Sequence, residues 1–245
     1  MQELIIVKTG STDPELITRK GDFADWFASG LQLEGMNLRV VDVRAGEALP
    51  DYAHVCGVVV TGSHDMVTAR ADWSEQTALW LKGAVEREIP TLGVCYGHQL
   101  LAHALGGKVG YNPDGREFGT VYVYLDEESH GDALLGGFRS PIRVQACHAQ
   151  CVLQLPPGAR RLAHNEEIDN HAFVMGGCAW GVQFHPEFDA DIMRYYIAAN
   201  SEALRAEGQS PDALKAGCAD TPFGNEILRR FARVAQEHCQ QRGKK

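Results

Sequence analysis

Short, β-rich apolar runs alternating with helix-like stretches constrain this chain more than any other feature. Leu4-Ile5-Ile6-Val7 reads as a first buried strand, Leu38 to Val43 as a second, Val55 to Val60 as a third and Thr91 to Val94 as a fourth. Between the first two, Pro14 to Leu33 carries Leu16, Ile17, Phe23, Trp26, Phe27 and Leu31 at helical spacing. A further helix is expected from about Ser74 to Glu88, with Leu79, Leu81 and Val85 inward and Pro90 at its exit, and another from about His98 to Leu105. Continuous apolar strands separated by helices of this length predict a parallel sheet covered on both faces.

The middle of the chain changes character. Thr120 to Leu125, Ile142 to Cys147, Cys151 to Leu155 and Arg160 to His164 are short and punctuated by Gly, Pro and Asp, which predicts hairpins on an edge of the sheet. Ala172 to Met175 and Ala179 to Phe184 read as another pair, and helices follow from about Asp189 to Glu207 and from Asn225 to Gln240. No repeat or linker divides the chain. Residues 1–190 are read as one α/β domain and 191–245 as a helical C-terminal extension packed on it.

Composition narrows the function. With 23 basic against 32 acidic residues the net charge is −9, which repels a phosphate backbone and argues against nucleic-acid binding. The one basic cluster, Arg242 to Lys245, reads as a solvated tail. No apolar run approaches the roughly 20 residues needed to span a bilayer, and the acid at Glu3 argues against a signal peptide. The 7 cysteines are an odd number in a chain long enough to bury a core without staples, so reduced thiols and a cytoplasmic protein are expected.

Gly93-Val94-Cys95-Tyr96-Gly97 lies where a buried strand meets a helix, the setting of a nucleophile elbow with Cys in place of Ser. There the thiol would lie near a helix N-terminus, whose dipole favours thiolate. The backbone N–H of Tyr96 would face a developing oxyanion. A buried structural cysteine is the competing account.

A cysteine nucleophile needs a base, and the base an orienting group. His185-Pro186-Glu187 supplies both, because positions i and i+2 of an extended chain project to the same side. His54, His64, His130, His164, His171 and His238 have no companion motif and read as surface or turn residues. Cys147, His148 and Cys151 invite a zinc reading, but no second pair completes four ligands, so no metal is expected. Thr61-Gly62-Ser63 follows a buried strand and would emerge on the edge that carries Cys95, where Gly62 could provide a second oxyanion donor.

Gly93 to Gly107 (GVCYGHQLLAHALGG) and Gly181 to Glu187 (GVQFHPE) together resemble the class I glutamine amidotransferases. The resemblance is nearest to stand-alone relatives of the GMP synthase amidotransferase domain. Thr61-Gly62-Ser63, Gly115 to Gly119 and Leu155 to Ala159 fall where that subfamily has similar segments. The resemblance implies a flavodoxin-like open, mostly parallel sheet with helices on both faces, and hydrolysis of the γ-amide of glutamine without metal or cofactor. It implies Cys95 as nucleophile, His185 as base and acid, Glu187 as orienting group, Gly62 and Tyr96 N–H as the oxyanion hole, and Gln99, His148 and Gln150 at the substrate. Relatives often carry an acid where this chain has Gln150, and Pro where it has His64-Asp65. The missing charge raises a γ-glutamyl compound, with water as acceptor, as the alternative substrate. No phosphate-binding G-x-x-x-x-G-K-[ST] loop is present, so ammonia would pass to a separate synthetase partner protein. A catalytically silent binding or regulatory protein is the reading of another class.

Overall fold

The structure is a computed structural model that describes residues 2–33 and 35–242. Nine strands form one open sheet: β1 (Glu3–Lys8), β2 (Asn37–Asp42), β3 (Val55–Val60), β4 (Thr91–Val94), β6 (Glu117–Leu125), β7 (Ile142–His148), β9 (Arg160–His164), β10 (Ala172–Met175) and β11 (Ala179–Val182), in the order β2-β1-β3-β4-β11-β10-β9-β6-β7. The first five pair in parallel, in the 2-1-3-4-5 order of flavodoxin-like folds. The remaining four add antiparallel on one side.

Period-two alternation sends β1 side chains into two cores. Leu4 and Ile6 join Phe27, Trp180, Leu228 and Phe231 on one face, while Ile5 and Val7 join Val58, Val60, Leu81 and Leu100 on the other. The first face is covered by α2 (Phe23–Leu31) and α8 (Pro222–Arg242), the second by α3 (Asp72–Glu86) and α4 (Tyr96–Ala104). A third core forms where Leu16, Phe23 and Trp26 meet Phe188, Met193 and Tyr196 beside the sheet.

Several sequence expectations need correction. The helix expected over Pro14 to Leu33 is two, α1 (Pro14–Lys20) and α2, because Gly21 turns to φ 85° and Asp22 starts a new capping box with Asp25. Leu79 is 73% exposed, since the buried stripe of α3 runs through Ser74, Thr77, Ala78, Leu81 and Ala84. The strand near Cys151 is β8 (Gln150–Gln154); it leaves the main sheet to pair with β5 (Lys108–Tyr111), a strand with no clear sequence signal. The helix expected over Asp189 to Glu207 divides at Asn200 into α5 (Ala190–Ala199) and α6 (Ser201–Ala206), and a short α7 (Pro211–Gly217) follows. Arg242 is not a loose end: its guanidinium donates to the carbonyls of Tyr52, Ala53 and Val55 at 3.1–3.3 Å. The rest of that basic tail, residues 243–245, lies outside the described residues. Among the described residues no helix is long and apolar enough to cross a membrane.

Candidate active site

Parallel strands end together, so the segments after β1, β3, β4 and β11 meet at one edge of the sheet, beside the point between β1 and β3 where strand order reverses. Cys95 continues β4 by donating its N–H to Val182 O (2.9 Å), then turns to φ 51°, ψ −102° to start α4. That backbone lies outside the regions open to side-chain-bearing residues, and such strain gathers at functional sites. The turn depends on close approach: a Cβ on Gly97 would run into the Val60 carbonyl of β3.

β11 runs beside β4 and delivers the next segment. His185 N donates to Gln145 O of β7 (2.8 Å), and its Nδ1 lies 2.7 Å from Glu187 Oε1. Cys95 is the ring's other side-chain partner. Burial alone would depress the imidazole, but the adjacent Glu187 and Cys95 raise it to about 10. The ring is stacked on Phe188, with centroids 3.9 Å apart and planes at 14°. Cys95 Sγ also lies 3.7 Å from Cys147 O. The Cys147 thiol itself is pushed well up by burial and by Cys95 and Glu187 beside it.

Gly62 stands against the same pair: a Cβ there would sit 3.0 Å from His185 Cε1 and 3.9 Å from Cys95 Cβ. Thr9 holds this loop, its Oγ1 lying 2.9 Å from Thr61 O and 3.0 Å from Gly62 O, with one proton to share between them. Because N–H and C=O of a trans peptide point oppositely, anchoring Thr61 O turns the Gly62 N–H the other way. Tyr96 opens α4, so its N–H is among those a helix leaves unpaired. Its phenol turns into the core and meets Ser74 Oγ at 2.6 Å.

Cys95, Tyr96, Gln99, His148 and Gln150 line a single cavity of about 390 Å³. Gln99 Nε2 donates to Gln150 O (2.6 Å) and Gln183 Oε1 (3.1 Å), and among the described residues its Oε1 has no hydrogen-bond partner. The Gln150 side chain is itself engaged, Nε2 donating to Thr68 Oγ1 at 2.5 Å. The extension contributes Tyr196 and Asn200 to the cavity wall, and Glu207 pairs with Arg116 at its rim.

The sequence assigned no role to the groups behind His148. Its Nε2 lies 2.9 Å from Glu117 Oε2, and its Nδ1 lies 3.1 Å from Gln150 O. Burial lowers this ring from its ordinary imidazole value, with Glu117 alone opposing the shift and His171 and His185 adding to it. His171, expected at the surface, is wholly buried with Nε2 3.1 Å from the same carboxylate. Burial would raise Glu117, but the two imidazoles hold it below the usual carboxylate range. Glu117, His148 and His171 place metal-ligand atoms within 4.8 Å of one another. Shared protons account for these contacts, which have hydrogen-bond length. Glu117 lies within the Gly115 to Gly119 segment, which the family resemblance had singled out, whereas nothing near His171 in sequence points to it.

Comparisons with known proteins bear on the family and the fold. The family model Glutamine amidotransferase class-I matches residues 22–201. The chain is 34% identical over 194 residues to a glutamine-hydrolyzing GMP synthase of Porphyromonas gingivalis, covering 76% of this chain and 33% of that protein. It is 34% identical over 171 residues to a glutamine-hydrolyzing GMP synthase of Aeropyrum pernix, covering 68% and 31% respectively. The chain thus spans about a third of the length of each of these relatives. A glutamine amidotransferase from Thermotoga maritima has the same fold, with a TM-score of 0.74 at 24% identity over 96% of this chain and 99% of that one.

Proposed function

The chain belongs to the class I glutamine amidotransferase family, and from that premise we propose that it hydrolyses the γ-amide of glutamine through a Cys95 thioester and releases ammonia to a separate synthetase partner. The observation that carries the reading is the strained Cys95 elbow facing the His185–Glu187 pair. We also read residues 1–190 as the amidotransferase unit and 191–245 as an extension fused to it by the burial of α8.

In this mechanism the Cys95 proton passes to the free nitrogen of His185, and the thiolate attacks the amide carbon. The N–H groups of Gly62 and Tyr96 hold the oxyanion, a donor of this kind being worth about 10²–10³ in rate. His185 returns the proton to the departing nitrogen, and ammonia leaves a thioester behind. Water, deprotonated by His185, then attacks the thioester to give glutamate and free Cys95. Glu187 keeps Nδ1 protonated and the ring aimed. Gln99 Oε1, an acceptor with no partner among the described residues, suits the substrate's ammonium group, and His148 and Gln150 shape the floor beneath it.

One observation favours a second substrate. Gln150 is neutral and its amide is tied to Thr68, so no carboxylate meets the ammonium group there, and a charge-assisted bond is roughly twice as strong as a neutral one. A γ-glutamyl compound hydrolysed by water is the alternative.

The test is intact-mass analysis after treatment with a glutamine-like diazoketone, wild type beside Cys95→Ser, with ammonia release assayed in parallel. A single adduct lost in Cys95→Ser, together with ammonia from glutamine, is expected. Labelling without glutamine turnover would shift the reading to γ-glutamyl substrates. A Cys95 inert to the diazoketone and to a general alkylator would leave a catalytically silent binding protein.

A further inference from the structure

His185 is boxed on three sides. Glu187 takes Nδ1, the Gly62 backbone closes on Cε1, and the ring of Phe188 covers one face at 3.9 Å. Phe188 is itself held, stacked on Tyr196 (5.3 Å, 7°) and Phe23 (6.5 Å, 4°) with the edge of Trp26 at 5.5 Å. Tyr196 is fixed in turn by its 2.6 Å hydrogen bond to Thr12. One imidazole face therefore rests on a plate that the β1 loop, α2 and α5 keep still.

We propose that Phe188 is a positioning residue for the nucleophile–base pair: its ring fixes the His185 plane facing Cys95, and its π-face stabilises the imidazolium that forms when the thiol gives up its proton. The inference rests on reading Cys95 and His185 as nucleophile and base. A cation within about 6 Å of an aromatic centroid is attracted by the ring quadrupole, more strongly when desolvated. Here the future cation is 4% exposed and the ring 5% exposed. Other groups around the pair are Glu187 on the same segment, Cys147 and His148 on β7, and Tyr196 on α5, with His64 on the loop after β3 lying edge-on to Phe23 and Tyr196. Replacing Phe188 leaves all of these in place, so a change in the pair's proton balance reports the ring.

The experiment is the rate of Cys95 alkylation by iodoacetamide from pH 5 to 9 in wild type, Phe188→Leu, Phe188→Met and Phe188→Tyr, with Cys95→Ser as blank. It needs no knowledge of the substrate. Leu and Met are expected to cut the rate at pH 6 by about 2- to 30-fold, the range of such contacts. The deficit should close above the free-thiol pKa of about 8.5, where the thiol ionises in every variant whatever the ring contributes. Tyr, which keeps the π-face, should track the wild type. Leu and Met profiles that superimpose on the wild type, or that fall equally at pH 6 and 9, overturn the proposal, the second result being that of a purely structural role. A wild-type Cys95 no more reactive at pH 6 than a free thiol overturns the parent reading of the pair and this proposal with it.

Discussion

The backbone at Cys95 costs on the order of 1–3 kcal/mol, and it persists because both flanks are anchored, through Cys95 N to Val182 O and Gln99 N to Cys95 O. Another residue of α4 carries a different burden. His98 is completely buried against Phe173 and the Gly181 backbone, and burial lowers it to about 3. A base depressed on folding binds fewer protons folded than unfolded as pH drops below its ordinary value of 6.5. Stability is therefore withdrawn from pH 6.5 downward, at up to about 1.4 kcal/mol per pH unit. Urea midpoints at pH 7 and pH 5 should reveal it, with the wild type losing about 2 kcal/mol more between them than His98→Leu. Equal losses would show that His98 takes up its proton while folded. Cys95, His185 and Glu187 could be picked out in the sequence because chemistry fixed their spacing: an elbow needs Gly93 and Gly97 around Cys95, and a buried imidazole needs Glu187 two places on; Gln99, His148 and Gln150 came only from the family resemblance. His171, Gln183 and Phe188 could not, since their roles depend on strands and helices distant in sequence that only folding brings together.

Elements with a continuous apolar signal, β1, β3 and β4, were readable because burial on both faces leaves them few residue choices. The merged helix over Pro14 to Leu33 has the opposite lesson: the apolar period ran on through Gly21-Asp22, while the backbone obeyed the local stop and cap. β5 and α7 gave no usable signal, β5 because it is largely exposed and α7 because its one buried residue is Pro211. The joint that matters most is α4 against β3. Gly97→Ala forces a methyl group into the Val60 carbonyl, and overpacking of this kind typically costs about 1–3 kcal/mol. The helix should also move away from β3, carrying Tyr96 N–H from Gly62. Gly97→Ala is thus expected to lower both the melting temperature and the alkylation rate of Cys95 at pH 6. A stability loss with an unchanged alkylation rate would detach the elbow from the packing beneath it.

At the scale of the molecule, the C-terminal helices complete the structure on which the site stands. α8 buries Ile227, Leu228 and Phe231 completely, in the same core as Leu4, Phe27 and Trp180. Its first turn abuts the carbonyl of Pro186, between His185 and Glu187, while α5 supplies Tyr196 to the stack behind His185 and to the cavity wall. If α8 were only a partner surface, trimming it would leave stability almost unchanged. If it closes the core, Phe231→Ala should cost about 3–5 kcal/mol, the range for a buried aromatic. At about 2–4 °C per kcal/mol for a chain of this size, the single melting transition should fall by roughly 6–20 °C. The transition should stay single, because α8 and the sheet share one core with no boundary at which to part. Two separate transitions, or a fall of only a degree or two, would overturn that account and return α8 to the role of a docking surface.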